Sequence, residues 1–298
     1  MARINRREWH RLALGGLTAA AASMAGVRAG GAQSVPAMRH PDSRVRGVLI
    51  GVQSYSFRDR HLDEMVQAVE AVGVSSCELW QDHAEPKIPR DELRQWRLSV
   101  PLEHFTSIRH KFDRIGVDLF AYNLSFRDDF TDDEIRRGFE MAEALGAKVI
   151  TASANPSVVT RIAPFAERFK MRVGMHNHSN ISPSEFATPD DLTRAMAISP
   201  FMATNLDIGH FTAANFDAVA FLAAHHDRIV TLHVKDRKRN DGDNLPFGDG
   251  DTPIVEVLKL LRDRRWAIPA NIEYEYKGGD AVDEVKRCLE YCKHALHL

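Results

Sequence analysis

The stretch FMATNLDIGHFTAANFDAVAFLAAHHDRIVTLHVKD, residues 201–236, contains the pattern that decides the fold. Two short runs rich in apolar and β-branched residues, 201–208 and 228–236, are separated by a segment with the spacing of a helix. A strand, a helix and a second strand in this order are typical of parallel α/β architecture, because parallel strands need a long crossover between them.

The same alternation extends from residue 48 to the end of the chain. Thr131 and Glu134 form a capping box before a helix that would reach Leu145, and Thr188 followed by Pro189 begins another helix. One apolar face of a last helix is predicted from Val282, Val285, Leu289, Cys292 and Leu296. Eight runs are predicted as strands: VLIGVQSYS (48–56), SSCELW (75–80), VDLFAYNL (117–124), AKVITASA (147–154), RVGMHNH (172–178), FMATNLDI (201–208), RIVTLHVKD (228–236) and ANIEYEY (270–276).

Eight such units in about 250 residues fit one closed barrel. A chain of 298 residues would otherwise favour two domains of about 150 residues, but single α/β barrels are the known exception. A doubly wound open sheet is the alternative, although no G-x-G-x-x-G turn follows the first strand. We therefore predict an α/β protein in which residues 46–298 form a single-domain (β/α)8 TIM barrel.

The composition is that of a globular protein with a large core, since 44% of the residues are hydrophobic and 27% are charged. The formal net charge of −2 lacks the basic excess that binds phosphate backbones, so nucleic acid is not an expected partner. Three cysteines, an odd number, do not form a disulfide framework. Cys77, Cys288 and Cys292 are interpreted as packing residues.

The first 32 residues resemble a twin-arginine export signal. Arg6 and Arg7 precede a weakly apolar, alanine-rich run from Leu12 to Val27, and cleavage is expected after Ala32. A membrane anchor is the alternative, but this run is short and weak for a spanning helix. The prediction is a signal at 1–32, a linker at 33–45, the twin-arginine machinery as a partner, a periplasmic location and no stable membrane anchor. Removing the signal leaves 34 basic and 40 acidic residues, so the mature chain is acidic, with a net charge of −6.

Residue parity within the strands predicts a polar barrel mouth. Leu232 and Val234 would face the helices, so His233 and Lys235 would face the barrel interior. The carboxyl ends of the strands are where barrel enzymes build their active sites. By the same parity, the other inward polar residues are Glu78, His176, His178, Asn205, Asp207, Glu273 and Glu275.

Charged and imidazole groups from five strands would repel one another, or stay desolvated, unless something bound them together. A divalent metal ion is the simplest solution, and a mixed nitrogen and oxygen set suits manganese, cobalt, iron or zinc rather than calcium. For any one of these residues, an interior hydrogen-bonded histidine or a buried ion pair is the ordinary interpretation. Several of them in matching register favour the metal.

Taken in order, the motifs GVQSYSFRD (51–59), CELW (77–80), HNH (176–178), LDIGH (206–210), LHVKD (232–236) and IEYEY (272–276), with the turn FGDGD (247–251), resemble the xylose isomerase-like barrel superfamily. More narrowly, they resemble its sugar phosphate isomerase/epimerase branch, which includes inosose dehydratases and ketose 3-epimerases. The resemblance covers roughly residues 46–296. It implies one divalent metal ion, with Mn²⁺ as the first choice and Co²⁺, Zn²⁺, Fe²⁺ or Mg²⁺ as alternatives, held by His176, Asp207, His233 and Glu273.

The resemblance also implies the residues around the substrate. His210 matches a position that contacts substrate hydroxyls, and Lys235 and Glu78 match polar positions around the sugar. Gln53 and Asn123, at the ends of the first and third strands, are further predicted substrate contacts. Trp80 faces the mouth, and with Tyr55 and Phe57 it could form an aromatic wall, ordinary core aromatics being the alternative. The segment KDRKRNDGDN, residues 235–244, is predicted to be a solvated loop.

One departure from the ketose 3-epimerases bears on the chemistry. They carry a glutamate at the strand-five ligand, which with the strand-eight glutamate moves protons on both faces of a substrate carbon; this chain has His176 there. The expected function is a sugar isomerase or epimerase that abstracts a proton next to a carbonyl through a metal-stabilised enediolate. The base is left open among Glu273, Glu275, Lys235 and His178.

Other functions stay open at this stage. A lyase or dehydratase of the same fold would eliminate from a keto-sugar or 3-keto-glycoside, and a non-catalytic barrel would only bind a sugar or a metal. An endonuclease IV-like nuclease shares the fold, but the acidic mature chain disfavours it. The expected partner is a small sugar, keto-sugar or glycoside. The sequence does not decide the particular sugar, the native metal or the oligomeric state, and it is compatible with a homo-oligomer.

Overall fold

The computed structural model describes residues 41–298, which form a closed parallel barrel. The first strand pairs with both the last strand and the second strand, and these two pairings close the barrel. The prediction of a single (β/α)8 barrel built from these eight runs is confirmed. The barrel strands are β1 (Val48–Gln53), β2 (Ser76–Trp80), β3 (Asp118–Asn123), β4 (Val149–Ala152), β5 (Arg172–His176), β6 (Met202–Asp207), β7 (Ile229–Val234) and β8 (Ala270–Ile272).

Helices surround the barrel, and two of them begin at the predicted signals. The Thr131 side chain accepts a hydrogen bond from the Glu134 N–H, and the Thr188 side chain accepts one from the Asp191 N–H. The α-helices of the described residues are α1 (Leu62–Val72), α2 (Gln81–Ala84), α3 (Arg90–Ser99), α4 (Glu103–Ile115), α5 (Asp132–Leu145), α6 (Val159–Phe169), α7 (Pro189–Ile198), α8 (Ile208–Ala213), α9 (Ala218–His225), α10 (Ile254–Arg264) and α11 (Ala281–His297).

The barrel sits between an outer core and a small inner one. Val173, Leu206 and Leu232 face the helices and are fully buried in the main core, as parity predicted. An inner apolar cluster near the amino ends of the strands is formed by Ala121, Val149, Ala203 and Val230. The inward side chains at the carboxyl ends of the strands are polar instead, and we call this end the barrel mouth.

The amino-terminal end of the described chain packs on the barrel. The short strand Arg44–Val45 pairs antiparallel with the start of β1, and the Ser43 hydroxyl donates a hydrogen bond to the Ile50 carbonyl. Residues 43–45, predicted as the end of a linker, are therefore part of the folded unit. The predicted signal at 1–32, and the linker as far as residue 40, lie outside the described residues.

Two further predictions concern α11 and the cysteines. Val285, Leu289, Cys292 and Leu296 of α11 are buried, as their helical spacing predicted, and Val282 packs against the same core. The three cysteines are buried and unpaired, in agreement with a packing role. Among residues 41–298, no helix combines the length and the apolarity that a membrane span requires.

Candidate active site

Four side chains converge in the barrel mouth at the ends of β5, β6, β7 and β8. His176, Asp207, His233 and Glu273 each offer one ligand atom, and these atoms lie within 4.8 Å of one another. His176 Nε2 is 3.3 Å from Asp207 Oδ2, and His233 Nδ1 is 3.0 Å from Glu273 Oε2. All four side chains are buried. The convergence expected from strand parity is therefore present, and their role as metal ligands stays a prediction.

In the two histidines of the cluster, the ring nitrogen that points away from the other ligand atoms contacts a neighbouring side chain. His176 Nδ1 lies 3.1 Å from Ser153 Oγ, and His233 Nε2 lies 2.9 Å from Glu78 Oε1. A carboxylate can only accept, so the Nε2 hydrogen of His233 points at Glu78. Such contacts fix the orientation of the rings, so that His176 Nε2 and His233 Nδ1 face the cluster. This arrangement is usual around metal-binding histidines.

The residues of the cluster fit a divalent cation. His233 Nδ1 and Glu273 Oε2 are buried and lie 3.0 Å apart, but the contact between them lacks regular hydrogen-bond geometry. The other neighbour of Glu273 Oε2 is the Lys235 ammonium, at 2.7 Å. A buried nitrogen without a well-formed hydrogen bond costs about 1–3 kcal/mol, and a divalent cation held by the cluster would give His233 Nδ1 a partner. Two imidazole nitrogens and two carboxylates form a donor set compatible with Mn²⁺, Fe²⁺, Co²⁺ or Zn²⁺.

Lys235 lies among the carboxylates of the mouth. Its Nζ is 3.0 Å from Asp207 Oδ2 and 2.7 Å from Glu273 Oε2, and it also donates to Glu275 Oε2. Burial alone would lower the pKa of Lys235, but the three carboxylates raise it well above its usual value. The amine is therefore charged and donates towards these carboxylates, and its role as a base stays a prediction.

His210 lies between two cationic donors. Its Nδ1 is 2.7 Å from Arg237 Nη1, and its Nε2 is 3.2 Å from Lys235 Nζ. Burial and the nearby charge of Lys235 hold the pKa of His210 well below its usual value, so the ring is neutral. A neutral imidazole accepts at one nitrogen only, and the shorter contact assigns Nδ1 as the acceptor for Arg237. Nε2 then carries the hydrogen, its contact with Lys235 is not a hydrogen bond, and the N–H can be presented to a ligand.

A cavity of about 340 Å³ opens above the cluster. Tyr55 lines it and contacts Trp80 edge to face, with 4.9 Å between the ring centroids. Phe57 is fully buried in the core, so the predicted aromatic wall consists of only two rings. The predicted substrate-contacting or catalytic residues that line the cavity are Gln53, Trp80, Asn123, His178, His210, Lys235, Glu273 and Glu275.

Glu78 is a correction to the predicted substrate contacts. It is completely buried beneath the cavity and does not line it. Parity correctly turned this side chain inward, but at the third position of β2 it lies deeper than the ends of the strands. Its carboxylate accepts hydrogen bonds of 2.6–3.4 Å from Gln53, Asn123, Thr151, Asn205, Asn271 and His233.

His178 lies on the cavity wall rather than in the cluster. Its ring stands against His176, with 4.9 Å between the centroids, and its Nδ1 is 3.3 Å from Glu185 Oε2. Burial and the neighbouring His176 lower the pKa of His178 to about 3. A ring with so low a pKa is a weak base near neutral pH.

Several site residues were missed from the sequence, namely Ser125 and Arg127 in the cavity wall, and Ser153 and Arg237 beside the histidines. Ser153, which contacts His176, follows Thr151 by two positions, so strand parity could have found it. Arg237 was included in the predicted solvated loop, but it is buried and donates to His210. A short antiparallel pair, Asp236–Arg237 with Asn244–Leu245, folds this segment back over the mouth, and no local pattern indicated it.

The FGDGD turn is held by the residue that follows Lys235. The Asp236 carboxylate accepts hydrogen bonds from the N–H groups of Gly248 and Gly250, at 2.7 and 2.9 Å. A Cβ atom at Gly250 would lie 1.9 Å from Asp236 Oδ1, so this close approach requires glycine. Burial raises the pKa of Asp236 to about 6.

Comparisons with known proteins agree on the fold. A family model described as xylose isomerase-like TIM barrel matches residues 66–294. The chain is similar to the probable 3-DHS dehydratase AsbF from Bacillus anthracis (18% identity, TM-score 0.62, 82% of this chain and 98% of that one). It is also similar to a sugar phosphate isomerase/epimerase from Parabacteroides distasonis (17%, 0.59, 82% and 93%) and to the 3-keto-D-glucoside 4-epimerase YcjR from E. coli (13%, 0.63, 83% and 99%). No curated protein sequence matches the chain.

We expect Glu78→Ala to lower the free energy of unfolding by about 3–5 kcal/mol, since it leaves several buried donors and His233 without their partner. Glu78→Gln keeps the shape but loses the charge, and should cost about 1–3 kcal/mol. Urea unfolding followed by circular dichroism measures both, with the exposed Glu92→Gln as the control. A Glu78→Ala protein as stable as the control would contradict this role.

Proposed function

The chain belongs to the xylose isomerase-like TIM barrel family, and from this premise we propose that it is a metal-dependent sugar isomerase or epimerase. The proposal is carried by the convergence of His176, Asp207, His233 and Glu273 under a polar cavity of the size of a small ligand. The names of two similar structures, an isomerase/epimerase and a 3-keto-D-glucoside 4-epimerase, support the same class of reaction.

The four side chains would hold one divalent ion, with Mn²⁺ as the first choice. Such an ion polarises a carbonyl or neighbouring hydroxyl oxygen and makes the adjacent C–H more acidic. His233 would bind the ion through Nδ1, because Glu78 contacts its Nε2. His176 would bind it through Nε2, because Ser153 contacts its Nδ1.

Glu275 is the base in this proposal. It is the cavity-lining carboxylate of the described residues that is not part of the four-residue cluster. Charged Lys235 contacts Glu275 and can donate a hydrogen bond to an oxyanion that develops on the substrate. Neutral His210 would donate its Nε2 hydrogen to a substrate oxygen and so orient the sugar.

A lyase is the second candidate, and one observation favours it. The two carboxylates that line the cavity, Glu273 and Glu275, both follow β8, and the β5 position holds His176 instead of an opposed carboxylate. Glu275 could remove a proton, and Lys235 could protonate a leaving oxygen. Such an enzyme would eliminate from a keto-sugar or 3-keto-glycoside.

Export is a further part of the proposal. The Arg6–Arg7 pair would direct the folded protein to the periplasm through the twin-arginine machinery. We expect the double change Arg6→Lys with Arg7→Lys to keep the protein in the cytoplasm, because the signal depends on the arginine pair. Immunoblots of periplasmic and cytoplasmic fractions measure this, and an unchanged periplasmic share would contradict it.

We expect the purified protein to hold about one equivalent of a divalent metal, and His233→Ala and Asp207→Ala to lose it, because each removes one of about four ligands. Plasma mass spectrometry of dialysed protein measures the content. His110→Ala and Asp113→Ala, at exposed positions of α4, are matched controls. A His233→Ala or Asp207→Ala protein that kept the full metal content would disprove the ligand assignment.

We expect Glu275→Gln to slow solvent deuterium incorporation into keto-sugars by about 10²–10⁴-fold, as for loss of a general base, with the metal content unchanged. The exposed Glu103→Gln is the control. Mass spectrometry of the product separates the candidates, since elimination lowers the product mass and isomerisation does not. Exchange that survives Glu275→Gln would assign the base elsewhere, and no exchange in the wild type would favour a binding protein.

A further inference from the structure

A second cavity, of about 480 Å³, lies beside the first. Trp80, Ser125 and Arg127 line both cavities, so the two adjoin across these three side chains. From this boundary the second cavity extends along α2 and α3. It leads away from the predicted metal-ligand cluster, which consists of His176, Asp207, His233 and Glu273. The first cavity is near the lower end of the range of about 300–1,000 Å³ for small-molecule sites. The two together would accommodate a larger ligand than the first cavity alone.

The boundary residues carry polar groups that the described part of the chain leaves without a partner. The Arg127 guanidinium makes no hydrogen bond or ion pair with residues 41–298, and the residue is exposed. Within the same residues, the Ser125 hydroxyl and the Trp80 indole N–H have no acceptor. The half-buried carboxylate of Asp82, two residues after Trp80, has a hydrogen bond with Gln81 but no ion pair in the described chain. The cavity thus offers three donors and an acceptor to a ligand.

The remaining charges of the wall are already neutralised. Arg90 pairs with Asp129 at 2.6 Å, and Arg97 pairs with Glu85 at 2.6 Å. Both guanidinium groups also lie over the ring of Phe130, at 4.8 and 4.6 Å from its centroid. Among the lining residues, the charges left are Arg127 and Asp82, of opposite sign, so the lining itself has no positive excess for a phosphate. Lys87 lies outside this lining, with its Nζ 5.9 Å from the centroid of the Trp80 ring.

We propose that the second cavity binds a second glycosyl unit, so that the substrate is a disaccharide or another glycoside whose reacting sugar lies over the metal-ligand cluster. This inference rests on the proposed function. A sugar ring presents hydroxyls that both donate and accept, together with an apolar C–H face that packs on an aromatic ring such as Trp80. Seven of the ten residues lining the second cavity are polar, which suits a polyhydroxylated ring better than an aromatic aglycone.

Titration calorimetry of the manganese-loaded full chain tests this with matched sugars. Glucose, galactose and mannose are each compared with disaccharides that contain them. We expect at least one disaccharide to bind about tenfold more tightly than its monosaccharide, a difference of about 1.4 kcal/mol. Leu93→Trp would fill the second cavity from α3 and remove this gain, while monosaccharide affinity stays within about twofold. Leu98→Trp, at an exposed position of the same helix that lines neither cavity, is the matched control.

Several outcomes would overturn the proposal. One is equal affinity for the monosaccharide and the disaccharide in every pair. Another is a disaccharide that still binds more tightly than its monosaccharide to the Leu93→Trp protein. A third is a gain in affinity that a sugar phosphate produces and a second sugar ring does not. Asp82→Asn serves as a second variant if Leu93→Trp does not fold, and it should reduce the same gain. Metal content and monosaccharide affinity test the proposed function separately. If the protein holds the metal and binds the monosaccharide, but binds no disaccharide more tightly, the second glycosyl subsite is disproved and the proposed function is not.

Discussion

The barrel mouth depends on one buried carboxylate, that of Glu78. It is fully inaccessible to solvent, and it accepts hydrogen bonds from side chains of β1, β3, β4, β6, β7 and β8. An isolated carboxylate at this depth would be very costly, but one that is fully hydrogen-bonded and paired can be accommodated. Glu78, on β2, therefore links its own strand to six others directly beneath the site.

The same carboxylate orients the site above it. His233 stands between Glu78 and Glu273, with one ring nitrogen toward each. Burial alone would lower the pKa of His233, but these two carboxylates raise it well above its usual value. A positive charge is thus favoured between the two acids, and in the proposed function a metal cation would compete with a proton for Nδ1. Occupancy by a cation would release that proton while Nε2 kept its bond to Glu78.

The fold and the convergence of polar side chains could be predicted because both follow from regular periodicities, whereas the family resemblance singled out the four residues of the cluster. Strand parity and the carboxyl-end rule need only the order of residues, and they placed His176, Asp207 and His233 together. Depth along the barrel axis is not encoded in parity. It depends on the stagger between strands, and the β2–β3 ladder shifts its register between Cys77 and Glu78. Arg237 was not predicted for another reason. Its position depends on the antiparallel pairing of Asp236–Arg237 with Asn244–Leu245, which no local sequence pattern indicates.

The histidine at position 176 gives the mouth an asymmetric charge distribution. Asp207, Glu273 and Glu275 already surround Lys235, and a further carboxylate at 176 would add a fourth negative charge within the same small volume. An imidazole there retains a ligand atom without that repulsion. In the proposed function the groups that move a proton, Glu275 and Lys235, follow β8 and β7, while His178 and His210, whose pKa values are lowered, follow β5 and β6. Chemistry that takes and returns a proton on one face of the substrate fits this arrangement better than transfer between two opposed carboxylates.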